Sequence, residues 1–451
     1  MKTEGSHIAT GLTAFDDAPL RGVHWRWTVI SGIGDYLDAG AFVAAAVSLA
    51  VWGTTFHISA GLLSVIAGVN AIAVAVGAFV AGRLGDRFGR KKIYTWDLVV
   101  YMVGALLTVF AVDQAMVLIG YLIIGLAIGA DVPTAWSLIA EFSPKRHRGR
   151  LMTITNIMWY VAAIVVLLLA LAFDHMGMMG TRLVWASLFV VAVIGYFFRR
   201  TLIESPRWSA THGAADKVAE ATRQLGGGSS SPESLLGTAA NSSLGQLFQR
   251  QYAGPLFLVV SIYVLWGIPA STYGVFFPYI LKTLGNTSTS AAYLLDIGWF
   301  ATAIIALLVV FMPLSDRVNR RVLYGVSAAF CTAAFVVLAI FPFTLTTALI
   351  NVILFGFGQG IGLWPLQRIW STEMFPTAIR NTGQGFVWSA MRFLSGVWAL
   401  FLLPLVSKTG ISVIAVIMAL MFAYNMVVGS IWGPKTAGKS LEEITGGTLG
   451  A

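Results

Sequence analysis

The stretch Gly82-Arg-Leu-Gly-Asp86-Arg87-Phe-Gly89-Arg90-Lys91-Lys92 separates two long apolar runs, and a degenerate copy, Asp316-Arg317-Val-Asn319-Arg320-Arg321, stands 230 residues later in the same setting. Of the 451 residues, 57% are hydrophobic and only 11% charged, against roughly 25% charged in soluble domains. The chain therefore reads as an integral membrane protein, and the repeated loop divides it into two related halves.

Apolar runs of about 20 residues, the length of one membrane crossing, predict twelve helices at 26–53, 60–83, 92–112, 115–142, 151–174, 182–202, 253–283, 291–314, 322–341, 344–372, 379–407 and 410–432. An even number places both termini on one side. Loops after even-numbered helices hold Arg87, Arg90, Lys91, Lys92, Lys145, Arg146, Arg148, Arg150, Arg207, Lys217, Arg223, Arg317, Arg320, Arg321 and Arg380, whereas the alternate loops offer little beyond Arg182, Lys282 and Lys408. Basic loops stay inside, so these loops and both termini are expected in the cytoplasm of a bacterial cell whose inner membrane holds the protein.

The same rule accounts for the net charge of +9, which in a soluble chain would suggest a nucleic-acid partner; none is expected here. The first thirty residues carry Glu4, Asp16, Asp17, Arg21 and Arg26 and lack a short apolar core before a cleavage site, so no removable signal is expected. Cys331 is the single cysteine and lies in an apolar stretch. Disulfides, structural zinc and thiol redox chemistry within one chain are thereby excluded, and Cys331 is read as a packing residue.

The halves repeat in detail. Glu141-Phe-Ser-Pro144 with Arg148 matches Glu373-Met-Phe-Pro376 with Arg380 at an offset of 232, and Pro206 pairs more weakly with Pro434 at 228. Concordant offsets of this kind indicate parallel repeats about an axis along the membrane normal. The expected layout is a cytoplasmic N-terminal segment (1–25), a six-helix bundle (26–202), a cytoplasmic loop (203–252), a second six-helix bundle (253–432) and a cytoplasmic tail (433–451). The loop contains Gly226-Gly-Gly-Ser-Ser-Ser231-Pro232, a linker composition, and an amphipathic stretch from Gly213 to Leu225 predicts a helix along the membrane surface.

Acidic and basic residues at the cytoplasmic helix ends predict an ionic latch, with Asp86 meeting Arg148 or Arg150 and Glu141 meeting Arg87 or Arg90. The full latch set is Asp86, Arg87, Arg90, Glu141, Arg148, Arg150, Glu204, Arg207, Asp316, Arg317, Arg320, Glu373 and Arg380. Such clusters hold two halves together on one side and must break when that side opens.

These motifs, together with Glu204-Ser-Pro206-Arg207-Trp208 and the tail Pro434-Lys-Thr-Ala-Gly438-Lys439-Ser440-Leu-Glu442-Glu443-Ile444, resemble those of the major facilitator superfamily, and within it the sugar porters. More narrowly, Gly34-Asp35-Tyr-Leu-Asp38-Ala-Gly40, Gly129-Ala-Asp131-Val-Pro133 and Gln367-Arg368-Ile-Trp370-Ser-Thr-Glu373 are similar to the bacterial inositol-transporter-like subgroup. The resemblance implies an all-α fold of two pseudo-symmetric six-helix bundles, and a monomer that imports a sugar or cyclitol, inositol foremost, by proton symport. Three departures stand out. Tyr121 occupies the place of a helix-four arginine that can pair with the helix-one aspartate. Leu265-Trp266-Gly267-Ile-Pro269-Ala-Ser271-Thr272-Tyr273 replaces the usual glutamines and asparagine of helix seven, and Arg368 replaces a helix-ten tryptophan.

Charges inside the membrane are costly and by default functional. At 1.5 Å per residue, Asp38 lies roughly 18 Å and Arg392 about 20 Å along helices one and eleven, and Asp131 about 16 Å from the end of helix four. Asp35 shares the face of Asp38. Four aspartates, Asp35, Asp38, Asp131 and Asp296, face two arginines, Arg368 and Arg392, so two carboxyls lack an evident cation. Asp38, assisted by Asp35 or Asp131, is the expected carrier of the coupling proton; capping of broken helices or pairing with arginine is the structural alternative.

A polyol needs polar partners around its ring and an aromatic face. The candidates are Asn156, Trp159, Tyr160, Tyr273, Trp299, Gln359, Trp364, Gln367, Arg368, Trp388 and Arg392, with the three amides favoured because an amide facing lipid is unsatisfied. Glycines at 120, 125 and 129, and at 356, 358, 360 and 362, lie inside apolar helices and read as close packing rather than nucleotide loops. No His, Ser or Cys constellation with a base occurs at one membrane depth, so no enzyme, metal or cofactor is expected. The arginines leave an organic anion open as cargo, and a facilitative uniporter as the mode; a signalling sensor is disfavoured by the shortness of loop and tail.

Overall fold

The computed structural model describes residues 15–58, 60–225, 244–284 and 288–445; the Gly226–Pro232 linker lies outside them. Twelve helices among the described residues are long and apolar enough to cross a membrane: α1 (Gly22–Leu49), α2 (Gly68–Phe88), α3 (Arg90–Val109), α4 (Gln114–Phe142), α5 (Arg148–Met176), α6 (Met178–Arg199), α7 (Arg250–Gly274), α8 (Ser290–Leu314), α9 (Arg320–Ile340), α10 (Leu345–Glu373), α11 (Thr377–Leu402) and α12 (Lys408–Trp432). α1–α6 and α7–α12 form two bundles that meet along α2 against α11 and α5 against α8. Apolar side chains such as Trp96, Phe197, Phe257, Val309 and Leu420 are exposed on the outer faces, where lipid would cover them.

Glycines let backbones approach. A Cβ at Gly129 would stand 2.2 Å from Val74 O, one at Gly104 2.7 Å from Gly120 O, and one at Gly360 2.3 Å from Ala303 O, so these runs are packing surfaces. Cys331 is buried beneath Gly358.

The opening motif is more helical than its glycines suggest, because α2 continues to Phe88 and carries Asp86 and Arg87 on its last turn. Gly89 alone makes the reversal, at φ +102°, a conformation natural to glycine. α10 is interrupted by a wide π turn over Gln359–Leu363. Pro365 follows and cannot donate a backbone hydrogen bond into the helical ladder, so the turn widens ahead of it.

The helix expected near the membrane surface spans Ala215–Leu225, but its Val218, Ala221 and Leu225 are buried against the Pro206–Thr211 helix and the helix that contains α1. Its apolar face thus packs on protein, correcting the expected contact with lipid.

Candidate functional site

Two polar layers run between the bundles. The first lies at the basic-loop face. Asp86 accepts from Arg90 Nη2 at 2.9 Å, and across the bundle boundary from the amides of Asn381 at 3.2 Å and Thr382 at 2.7 Å and the Thr382 hydroxyl at 2.6 Å. Arg90 reaches Glu141 at 3.2 Å and the Thr377 carbonyl at 2.7 Å, and its amide donates to Glu204 at 3.0 Å. Glu141 pairs across the boundary with Arg380 at 2.8 Å, and Glu373 bridges Arg148 at 3.2 Å and Arg320 at 2.8 Å. Asp316 joins Arg320 at 3.3 Å and accepts the Gly149 amide at 3.3 Å.

The latch therefore differs in detail from the sequence expectation. Asp86 meets Arg90, the first residue of α3 beyond the Gly89 reversal, not Arg148 or Arg150. Arg87 and Arg317 are exposed, and Arg150 has no ion pair among the described residues; it meets Asp316 across the boundary through its backbone amide instead. Asn381, Thr382 and Thr377 were missed, as uncharged residues give no sequence signal of this kind.

Asp16 was also missed. It accepts from Arg148 at 2.8 Å and Arg207 at 2.5 Å, and Arg207 extends to Glu442 in the tail at 2.9 Å. Burial pushes the Asp16 carboxyl above its ordinary value against the pull of Arg207 and Arg148, and burial likewise raises Asp316 despite Arg320. At Glu442 burial acts upward too, but Arg207 outweighs it and the carboxyl falls to about 2. A depressed carboxyl stabilises the folded state above its unfolded value and loses that contribution as pH falls through the folded one. Tail docking is thus constant above the ordinary 4.5 and weakens only towards 2. Glu442→Gln is expected to make the tail cleavable by protease at neutral pH, where the parent tail resists in limited proteolysis.

The second layer lies midway along the helices and holds two ion pairs between the bundles. Asp35 pairs with Arg368 at 2.5 Å, Arg368 also donates to the Thr155 hydroxyl at 2.7 Å, and its guanidinium lies 4.2 Å from the rings of both Trp136 and Trp364. Asp38 accepts from Arg392 at 2.8 and 3.0 Å and from Trp159 Nε1 at 2.9 Å. The cation absent from helix four at Tyr121 is thus supplied by α11. This corrects the expectation that Asp38 is short of a cation.

Asp97 and Arg199 add a third cluster of buried charge to this layer. Arg199 pairs with Asp131 at 2.5 Å and Asp97 at 2.9 Å, while Asp296 has no Lys or Arg partner among the described residues. Both were legible as charges within predicted helices, near their ends, yet only the fold brings them to Asp131.

Beyond the ion pairs, away from the basic-loop face, a cavity divides into two lobes that share Phe42, Ser271 and Arg392. One is lined by Trp159, Tyr160, Trp266, Trp299, Gln359, Trp364 and Trp388; the other by Asn70, Tyr121, Thr272, Ser395 and Trp398. Gln359 stands on the π turn, its Oε1 taken by Trp266 Nε1 at 2.8 Å and its Nε2 without a partner, as are the indole N–H groups of Trp299, Trp364 and Trp388.

Four candidates from the sequence lie elsewhere. Gln367 donates to the Ile262 carbonyl at 3.0 Å and the Tyr324 hydroxyl at 2.8 Å inside the second bundle, and Tyr273 packs among Trp299, Phe335 and Phe355. Arg368 is fully buried in its ion pair, and Asn156 is buried outside the lining with both amide atoms unpartnered. Helix periodicity places side chains on a face, but which face meets the cavity depends on helix rotation. Asn70, Trp266, Ser271, Thr272 and Trp398 were missed for the same reason.

A sequence profile of the family described as "Sugar (and other) transporter" matches residues 30–446. The minor myo-inositol transporter IolF of Bacillus subtilis is 32% identical over 92% of this chain and 92% of its own length. The arabinose-proton symporter of the same organism is 26% identical over 82% of this chain and 83% of its own. The fold matches that of the proton:xylose symporter XylE bound to 6-bromo-6-deoxy-D-glucose, at a TM-score of 0.79 and 17% identity, covering 93% of this chain and 98% of that one.

Proposed function

We propose that this chain, which belongs to the sugar transporter family of the major facilitator superfamily, imports a polyhydroxylated small molecule, a cyclitol such as inositol or a sugar, by alternating access coupled to protons. The observation that carries this reading is the aromatic cavity between the bundles. Indole faces suit the C–H side of a ring, while Gln359, Asn70, Ser271, Thr272 and the Asp38–Arg392 pair offer polar contacts around it. Likeness to the inositol transporter favours a cyclitol, and likeness to the arabinose-proton symporter favours proton coupling.

With the basic-loop face in the cytoplasm, the first polar layer acts as the inner gate, and the chain described is closed inside. Import then requires the cross-boundary contacts of Asp86, Glu141 and Glu373 to part as the bundles rock. The bundles at 26–202 and 253–432 are the moving bodies, joined by the loop at 203–252.

A second reading, transport of an organic anion, is favoured by Arg392, which lines the cavity while its Nε has no partner. Proteoliposome uptake of inositols, hexoses and sugar acids, with and without an inward proton gradient, separates these. Uptake of anions alone would sink the first reading, and uptake indifferent to the gradient would make the protein a uniporter. Within the first reading, Gln359→Ala removes one neutral hydrogen bond to substrate and is expected to raise KM about tenfold at unchanged expression.

A further inference from the structure

We infer that Asp97, Asp131 and Arg199 form a proton-binding site in the first bundle, in which two carboxyls share one guanidinium and one exchangeable proton. The inference deepens the proton-coupled reading above and rests on it for its role in transport.

Three helices build the triad: α3 brings Asp97, α4 Asp131 and α6 Arg199. Each Arg199 terminal nitrogen serves one carboxylate, Nη1 to Asp97 at 2.9 Å and Nη2 to Asp131 at 2.5 Å, and Nη1 also donates to the Tyr94 carbonyl at 2.7 Å. The Tyr94 ring lies 3.6 Å from the guanidinium carbon. All three side chains are at least nine-tenths buried. One oxygen of each carboxyl, Asp97 Oδ2 and Asp131 Oδ1, is buried with no hydrogen-bond partner.

With both aspartates ionised the triad carries one surplus negative charge away from water, and two carboxylate oxygens have nothing to accept. Binding one proton forms an O–H bond on one of those oxygens and brings the triad to neutrality, which is the cheaper state in a buried site. Among the described residues Asp296 is also buried without a cation, but it shares no guanidinium with a second carboxyl. Asp35 and Asp38 each have their own arginine.

The charged and titratable groups around the triad are Asp35 and Asp38 on α1 and Tyr94 and Tyr101 on α3, with Arg368 of the second bundle reaching Asp35. Contact with α1 is close. A Cβ at Gly34 would stand 1.7 Å from Asp131 Oδ1 and 2.7 Å from Arg199 Nη2, so the unpartnered oxygen lies against the backbone one residue before Asp35. An ionised triad adds negative charge beside Asp35 and strengthens the hold on Arg368 across the boundary. Protonation removes that charge and loosens the tie, the order of events that inward proton-coupled import requires.

The test uses the full-length purified protein and two variants, Asp97→Asn and Asp131→Asn, each of which leaves Arg199 with a single carboxylate. Infrared spectroscopy of the carboxylic-acid C=O band, titrated from mildly acidic to alkaline pH without substrate, is expected to lose one titrating acid in either variant, separately from any band lost in Asp296→Asn. In proteoliposomes loaded with myo-inositol, the same variants are expected to lose gradient-driven accumulation about tenfold or more while counterflow stays within about twofold of the parent. An unchanged band in both variants overturns the site, as does a parent protein in which no acid band titrates. Should one variant misfold, the other decides, because it makes the same change in charge. A parent that shows the band but no gradient-driven uptake leaves the site standing and overturns the coupled-import reading instead.

Discussion

Gly385→Leu is expected to abolish net uptake, by about tenfold or more, in a protein that still folds and inserts into the membrane. Gly385 on α11 packs against α2, where a Cβ would stand 2.3 Å from the Ala78 carbonyl oxygen and 2.9 Å from Gly82 Cα. Gly82 in turn leaves room for the Asn381 carbonyl, 2.7 Å from its own hypothetical Cβ. These neighbours are backbone atoms, which cannot turn aside as a side chain can, so a leucine holds α2 and α11 apart. The gate contacts from Asp86 to Asn381 and Thr382 lie on the same stretch and are lost with the approach. Overpacking that costs about 1–3 kcal/mol in one state and nothing in the other shifts the balance by roughly 5- to 150-fold. The measurement is thiol labelling of Thr377→Cys, whose parent residue is buried at the gate. Labelling should become rapid in the Gly385→Leu background, and Cys331 stays silent because it is buried. Equal labelling in both backgrounds would sink the idea that this glycine contact closes the gate.

Arg368→Gln is expected to have the largest effect on stability. Removing the guanidinium leaves Asp35 buried with only the Trp136 N–H, at 3.3 Å, as a polar contact, and breaking a buried pair from one side costs about 3–5 kcal/mol. The guanidinium also fills the space between Trp136 and Trp364, which glutamine fills poorly. Thermal unfolding in detergent should show a large fall in midpoint. The double variant Asp35→Asn with Arg368→Gln should regain much of that fall, because both charges are gone, yet it should not regain uptake. A double variant as unstable as the single one would show that the guanidinium acts by packing rather than by charge.

The twelve crossings were legible because a membrane segment must be apolar for about 20 residues whatever it packs against. The acid, proline and arginine spacings at Glu141 and Glu373 marked the repeat for a related reason: they sit at helix ends, which a linear pattern locates. Most latch residues were found in this way, and so was the pairing of Glu141 with Arg90, whereas the other partners were not. Asp86 turned out to serve Arg90 and the amides of α11, since α2 extends one turn past its expected end.

The cavity was less legible. Trp159, Gln359, Trp364 and Arg392 line it, but Gln367, eight residues after Gln359 in the chain, points into its own bundle. The π turn before Pro365 rotates the second half of α10 relative to the first, and a helix read from sequence at a constant pitch cannot anticipate that rotation.

Sequence by itself determined that the chain crosses a membrane twelve times, that it is built twice from one plan, and that charges stand midway along the crossings. Each of these follows from local composition or from spacing along the chain. Tertiary structure alone decided which charge meets which. Asp35 and Arg368 lie 333 residues apart, Asp38 and Arg392 354, and Asp97 and Asp131 converge on one Arg199. Buried charges choose partners by distance in three dimensions and by the cost of going without, and neither quantity is defined until the helices have been placed and turned.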